Sequence, residues 1–581
     1  MAKTYRLVDR AQEFLLPPSM VDWLGDDHLV WFVIAAVERL DTARFHARAR
    51  LGGVGRKGYD PDMLLTLFVY AMAHGESSSR QIERWCHTDV AFRIICASDV
   101  PDHTVLARFR KNHEQALTDL LTESLVLAAE LGMVSLGVVA FDGTKIAANA
   151  SKDANRTQAR LRELAEEFVA TVASTDEAED VLFGEVSRGD ELPPVVRDRT
   201  GRGERITAAL AQIAARRRAA EQARRERSER DRGSGRAYER AIQQAADSGT
   251  PPPLGPAPKT ADPVVVTRAR LARARAKAEA RQRARLERTR AKPRTSGRGR
   301  EPVPIEDQEL VRRARAAYEA ALAHAENPAG ENPAGETVGN PGNDSDSDRD
   351  SDGDGDSDGT AKSGQVGQDV TSDRPAEQVK ANLTDPESRL LKTRNGWIQG
   401  YNCQTAVSDD EFFVSARATQ DTNDMAQFEP TVQDLTATTG RLADRCDRDD
   451  LTIGVMIGDA GYDSDANLAA DGPDRLIADA KAHTIDQRAS TDPATGDPAT
   501  DATPRETMNH RLRTPEGHAL YQRRSPMVEP PNAWLKDRRG LRRFARRGLA
   551  AAQAELSLAC AVTNLLKLHT KGITTAQLQT G

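Results

Sequence analysis

Aromatic side chains are scarce in this 581-residue chain, at 4%. Cysteine is scarcer still. Cys86, Cys96, Cys403, Cys446 and Cys560 are scattered, odd in number and never spaced C-x-x-C. That pattern excludes a disulfide framework and a cysteine-rich zinc site, and fits a reducing, cytoplasmic setting. No run approaches the ~18 apolar residues of a membrane span, and MAKTYRLVDRAQEFLLPPS lacks the apolar core of a secretory signal, so no membrane partner is expected. Net positive charge is also missing, the formal total being −7. Taken alone, that total argues against a nucleic-acid partner. It is misleading, because residues 343–358 carry eight Asp and one Arg, a net of −7, and leave the remainder neutral. Charge distribution is the better guide, and Arg268 to Arg300 hold fourteen Lys or Arg against two Glu.

Length predicts two to four domains. Residues 1–135 read as a helical domain, either DNA-binding or a packing and dimerisation bundle. SMVDWLGDDHLVWFVIAAVERL has helical spacing, Asp60-Pro61 starts a helix, and Pro101-Asp102-His103-Thr104 is a turn and N-cap. His103 reads as a structural histidine, with no partner at zinc-site spacing. Residues 136–152 hold a first buried strand, Leu136 to Phe141, closed by Asp142. A basic helical insertion follows at 153–325, then an acidic linker at 326–384 too polar to fold. Strands resume at Tyr401–Val407, Phe412–Ala418, Ile453–Ile457 and Leu476–Ala480, with helices at 430–438 and 465–470. Ser490 to Pro504 reads as a loop. Helices are expected again from Met527, including Leu541–Leu549 and Glu555–Lys567. Residues 571–581 read as a tail.

Three carboxylates end readable local patterns: Asp142 after LGVVAF, Asp459 after IGVMIG, and Glu529 in YQRRSPMVEPPNAWLKD. Two acids at the ends of adjacent strands and one on a packed helix suit phosphodiester chemistry. Two divalent ions about 4 Å apart activate the attacking oxygen and stabilise the leaving one, and hard cations take carboxylate ligands. Lys536 falls two helical turns beyond Glu529 on the same face, within reach of a phosphate. Each acid alone has a plainer reading: Asp before Gly is a common turn residue, and Glu favours a helix start. The arginines at 538, 539, 542, 543, 546 and 547 read as a phosphate-binding face or as a solvated one.

Longer segments carry a resemblance. FDGTKIAANAS, RLLKTRNGWIQGYNCQTAV, IGDAGYDSDANL and YQRRSPMVEPPNAWLKDRRGLRRFARRG are similar to the first-acid strand, second strand, D-x-G-Y-D motif and Tyr-Arg-Glu-Lys signature of bacterial insertion-sequence DDE transposases. GYDPDMLLTLFVYAMAHGESSSRQIERW and PDHTVLARFR resemble that family's N-terminal domain. The resemblance spans roughly 1–150 and 385–570. It implies an RNase H-like α/β fold, a mixed sheet flanked by helices, behind an all-helical N-terminal domain. It further implies two Mg²⁺ ions, or Mn²⁺, on Asp142, Asp459 and Glu529. DNA ends and target DNA would contact Tyr521, Arg524, Lys536, Arg538, Arg539, Arg542 and Arg543, with a homodimer acting on DNA near the nucleoid. The implied reaction is metal-dependent cleavage at element ends followed by strand transfer. A DNA-binding remnant that no longer cuts and an RNase H-like nuclease without strand transfer remain open alternatives. Two departures bear on Glu529. Four residues, one more than usual, separate it from Arg524, and Pro531-Asn532 replace an aliphatic–aromatic pair.

Overall fold

A computed structural model describes residues 19–47, 58–167, 194–248, 257–291, 303–326, 379–446, 448 and 450–580. Two compact units divide the chain, one of residues 1–213 with 377–581, the other of residues 214–376. The expected acidic linker falls almost wholly outside the described residues.

Within the first unit, the N-terminal helices start where their caps dictate. Asp60 accepts from the Asp62 amide ahead of helix Pro61–Ala73, and Pro61 sits where no N–H is needed. Asp89 closes helix Ser79–Thr88 and caps Val90–Ile95, so one residue separates the two. Asp102 accepts from the Thr104 amide to open His103–Asn112, as expected. Glu114–Glu130 completes the helical region.

The sheet is mixed. Strand β1 is Val138–Ala147, β2 Asn155–Thr157 and β3 Lys380–Asn382, the last two forming a separate pair. β4 is Arg389–Thr393, β5 Gly396–Ser408, β6 Phe413–Thr419, β7 Val455–Gly458 and β8 Asp474–Ile477. The main sheet runs β4-β5-β1-β7-β8, with β6 also on β5. β1 is antiparallel to β5 and parallel to β7, which is parallel to β8. This is the RNase H-like α/β arrangement expected, preceded by the helical N-terminal region. Strand β1 outruns its apolar segment. It continues to Ala147 because β5 pairs with it as far as Gly400, so Asp142 lies within a strand and not at its end.

Helix Leu549–Thr570 packs against Glu114–Glu130 and β6. It has the length and hydropathy of a membrane span, although polar residues break its apolar run in sequence, and 78% of its most apolar window is buried inside the protein. Its carboxamides cover the edge that β6 turns away from β5. Asn564, fully buried, accepts from the Phe413 amide at 2.8 Å and donates to the Phe413 carbonyl at 3.0 Å. Gln553 accepts from the Ala418 amide at 2.7 Å and donates to the Ala416 carbonyl at 2.8 Å. A buried strand edge leaves backbone groups that must be paired, and here two side chains pair them.

Other departures from expectation are local. Residues 541–548 are not helical; Gly540 and Gly548, both at positive φ, bracket the segment. Helices Ala482–Thr491, Pro504–Arg513 and Pro515–Gln522 surround the expected loop, which shrinks to residues 492–503. The expected tail contains helix Thr575–Thr580, whose buried Leu578 offers its carbonyl to Arg39 at 3.1 Å.

In the second unit, helices Pro263–Ala291 and Glu309–Glu326 pack Leu271, Ala274 and Ala278 against Val311.

Replacing Asn564 by Leu keeps the volume but strips the Phe413 amide and carbonyl of their partners. Each buried group left unsatisfied costs about 1–3 kcal/mol. The expected result is a clear drop in the chemical-denaturation midpoint, whereas Gln433→Leu, at an exposed position, leaves it unchanged.

Candidate active site

Parallel register places the first two acids side by side. The last paired residues of β1 and β7 are Ala140 and Ile457. Asp142 and Asp459 each lie two residues further on, at the same level of neighbouring strands, which run about 4.8 Å apart. Gly458 is required here, since a side chain at that position would overlap the Phe141 ring. Beyond it, Asp459 caps the single turn Ala460–Tyr462, accepting from the Gly461 amide at 2.9 Å.

A guanidinium joins the two carboxylates. One terminal nitrogen of Arg524 is 3.3 Å from Asp142 Oδ2 and 3.5 Å from Asp459 Oδ2, and the arginine side chain is only 12% exposed. Its Nε is buried without a hydrogen-bond partner. Burial pushes the Asp142 carboxyl up to about 6. Arg524 opposes that rise, while the negative charges of Asp459 and Asp424 add to it.

Arg524 opens the helix Arg524–Asp537, which packs on β1 and β5. Val528, Pro531, Asn532 and Leu535, at helical spacing from Arg524, are buried. Asn532 Oδ1 accepts from the Thr405 hydroxyl at 3.0 Å, and Thr405 is the β5 residue opposite Asp142. Glu529 rides on the same helix but is exposed, and its side chain makes no hydrogen bond or ion pair with the described residues. The helix survives Pro530 and Pro531, which fall in its interior and not its first turn. Lys536 is half-buried, and desolvation holds its ammonium below its ordinary range, with Asp142 among the charges acting against that shift. Tyr521 is buried against Ile457, Leu476 and Leu512, and burial raises its hydroxyl.

The basic cluster divides. Arg538 lies over the Trp534 ring at 5.3 Å, Arg542 pairs with Asp537, and both are exposed, as is Arg543. Arg539 is buried. It donates to the carbonyls of Met72 at 3.3 Å and Ala73 at 2.5 Å, closing the end of helix Pro61–Ala73. Nothing in the sequence hints at this, because the partner carbonyls lie more than 460 residues away. Arg546 pairs with Glu114 and is likewise turned inward. His103 pairs with Glu83 at 2.8 Å.

One acid beside this site is missing from the sequence reading. Asp424 follows β6 by five residues, and its carboxylate fills the space over Gly143. The rule that singles out Asp142 and Asp459, an acid just beyond an apolar run, reaches Asp421 before Asp424 in the stretch after Ala418.

Among the described residues, the triads of His, Asp and Glu close enough to grip one ion are His46/Asp60/Asp62 and Glu83/Asp102/His103, both in the N-terminal helices. Neither Asp142, Asp459 and Glu529 nor Asp142, Asp459 and Asp424 form such a triad, and Arg524 pairs with both Asp142 and Asp459. Their donor set nevertheless suits a hard cation, with two carboxylate oxygens already directed at one positive group.

Two family models match the chain. A transposase domain (DUF772) covers residues 19–112, and a transposase DDE domain covers residues 495–569. The second includes Tyr521, Arg524, Glu529 and Lys536 but neither Asp142 nor Asp459. No curated protein and no solved structure matches. A helical transposase domain ahead of a DDE domain on a mixed sheet defines a transposase. The two matches together support an insertion-sequence DDE transposase.

The raised Asp142 carboxyl has a sign that can be tested. In the folded chain it keeps its proton up to pH about 6, whereas in the unfolded chain it ionises near 4. Stability from the neutral form is therefore full below pH 4 and is lost as pH rises through 6. Without divalent metal, Asp142→Asn should stabilise the fold at pH 7 by about 1–3 kcal/mol, and the gain should vanish by pH 4. Thermal unfolding across that range measures it.

Proposed function

We propose that this transposase hydrolyses phosphodiester bonds at element ends and then joins the freed 3′ ends to target DNA, using divalent metal at Asp142, Asp459 and Glu529. The observation that carries the reading is the shared Arg524 guanidinium, which marks the point between two in-register strand acids as a cation position. Two Mg²⁺ ions bound there would lower the pKa of the attacking water or 3′-hydroxyl and stabilise the departing 3′-oxygen.

The protein's own groups supply the rest. Asp142 and Asp459 are fixed by β1 and β7, so their spacing is set by backbone pairing. Glu529 adds a third carboxylate from the helix held to β5 through Asn532. With divalent metal held by the acids, Arg524 would be free to turn to a phosphate of the DNA end. Lys536 is the second phosphate donor of that helix. Exposed Arg538, Arg542 and Arg543 extend the basic surface along the backbone of the DNA. Arg539 is left out of this surface, because its guanidinium is committed to helix carbonyls.

The test is a strand-cleavage assay on end-containing DNA with Mg²⁺. Asp142→Asn should reduce cleavage on the order of 10⁴-fold, the scale on which loss of one member of a catalytic unit is felt. Retention of the DNA by gel shift should change little. Cutting at the wild-type rate by this variant would remove Asp142 from the mechanism. Product in which end and target DNA are joined separates transposition from simple nuclease action.

A further inference from the structure

We propose that Asp424 is a fourth carboxylate of this active site, and that its Oδ2 helps to hold the metal proposed for Asp142 and Asp459. The inference rests on the metal-dependent reading above and goes beyond the three acids that the family resemblance implies.

Asp424 precedes the turn Met425–Gln427 and the helix Phe428–Cys446, yet its side chain caps neither. Its Oδ1 instead accepts from Asn402 Nδ2 at 2.8 Å and Gln404 Nε2 at 2.7 Å. Both amides belong to β5 and are buried, at 0% and 3% exposure. Gln404 is itself oriented, because its oxygen accepts from the buried Tyr462 hydroxyl. Such a chain of amides fixes a carboxylate in direction without neutralising it. No lysine, arginine or histidine forms an ion pair with Asp424 among the described residues. Asn402 Oδ1 is buried without a partner, so this corner is polar beyond what its own contacts satisfy.

Two glycines make the room. A side chain at Gly143, next to Asp142, would overlap Asp424 Oδ1. One at Gly461, two residues after Asp459, would lie 2.9 Å from Asp459 Oδ1 and 3.7 Å from Asp424 Oδ2. The free oxygen of Asp424 and the carboxylate of Asp459 therefore flank the same glycine. Asp142 and Tyr462 both feel the negative charge of Asp424. Three carboxylates thus stand around this end of β1 and β7, more widely spaced than the ligands of a single bound ion, and among the described residues Arg524 is the one cation pairing with any of them. A further positive charge is what the arrangement lacks, and a divalent ion on oxygen ligands provides it.

The experiment is Mn²⁺ binding to the full-length protein without DNA, followed by calorimetry and by metal-dependent thermal shift. Asp424→Asn keeps the shape and an acceptor for the two amides. It should weaken Mn²⁺ on the order of 10- to 100-fold with an unchanged metal-free melting temperature. Cleavage by this variant should recover as Mg²⁺ is raised, which loss of a purely structural contact would not produce. Wild-type Mn²⁺ affinity in Asp424→Asn, alongside lost binding in Asp142→Asn, overturns the proposal and leaves the proposed function intact. Unchanged binding in both variants overturns the metal reading itself. If Asp424→Asn does not fold, the wild-type protein decides. Fe²⁺ with ascorbate should cut its backbone near residues 142, 424 and 459, and cuts near 142 and 459 alone would refute the assignment.

Discussion

Everything at the centre of this protein depends on one costly arrangement: a carboxylate inside a strand, largely withdrawn from water, facing a second carboxylate across a strand pair. Desolvation and like-charge repulsion both push Asp142 toward its neutral form. A single guanidinium holds the pair together. Such an arrangement contributes little to stability, because burying ions costs about as much as their attraction returns. On the proposed reading its value would lie in electrostatic preorganisation, with oxygen atoms already directed at a cation position. Arg524 works as a placeholder on this view. It neutralises the acids while its own Nε goes unsatisfied, which is a cost to holding it there.

Rigid surroundings let that arrangement persist. The β1–β5 pairing runs for nine residues through Asp142, and Phe141 is packed against Phe428 and Tyr462 with ring centroids 5.7 and 4.6 Å apart. On the far side, helix Leu549–Thr570 replaces a missing strand with the carboxamides of Gln553 and Asn564. Asn564 also donates to Ser124 at 3.1 Å, tying the N-terminal helices to the sheet. Arg539 makes a second tie by capping helix Pro61–Ala73. Residues that resemble a DNA-contacting cluster in sequence therefore divide between surface and scaffold according to which backbone carbonyls lie within reach.

Strands β1, β6, β7 and β8 are legible in the sequence because each holds a short apolar run, and the two Asp positions because each ends such a run, whereas β2 and β3 lie in segments that read as insertion and linker. The N-terminal helix starts are legible from Asp60-Pro61 and Asp102. What escapes is mostly tertiary. The extension of β1 to Ala147 follows from pairing with β5, not from the polar residues of GTKIA. Helices Pro504–Arg513 and Pro515–Gln522 are polar enough to pass for loop, although Thr503 with Glu506 forms a capping box and Thr514-Pro515 repeats the start signal. Asp424 stays hidden because its relevance comes from Gly143 and Gly461, and an absent side chain matters only once the fold shows what occupies its place.

Glu529 differs physically from the other acids. Asp142 and Asp459 are anchored by strand pairing, whereas Glu529 stands on a helical turn weakened by its own sequence. Pro530 and Pro531 have no N–H to offer the carbonyls of Pro526 and Met527, so two successive helix bonds are missing around it. Proline inside a helix is the commonest source of local bending. The sheet-facing side of the helix is nevertheless secured by Val528, Asn532 and Leu535. The helix is thus fixed where it meets the sheet and less constrained where it carries the third acid. On the proposed reading, such a site would combine a rigid pair of ligands with one that can adjust, which suits two successive displacements at phosphorus with different attacking oxygens. The sequence departures around Glu529 then acquire a physical meaning: the extra residue and the paired prolines alter how the third acid is held while leaving the strand-borne pair untouched.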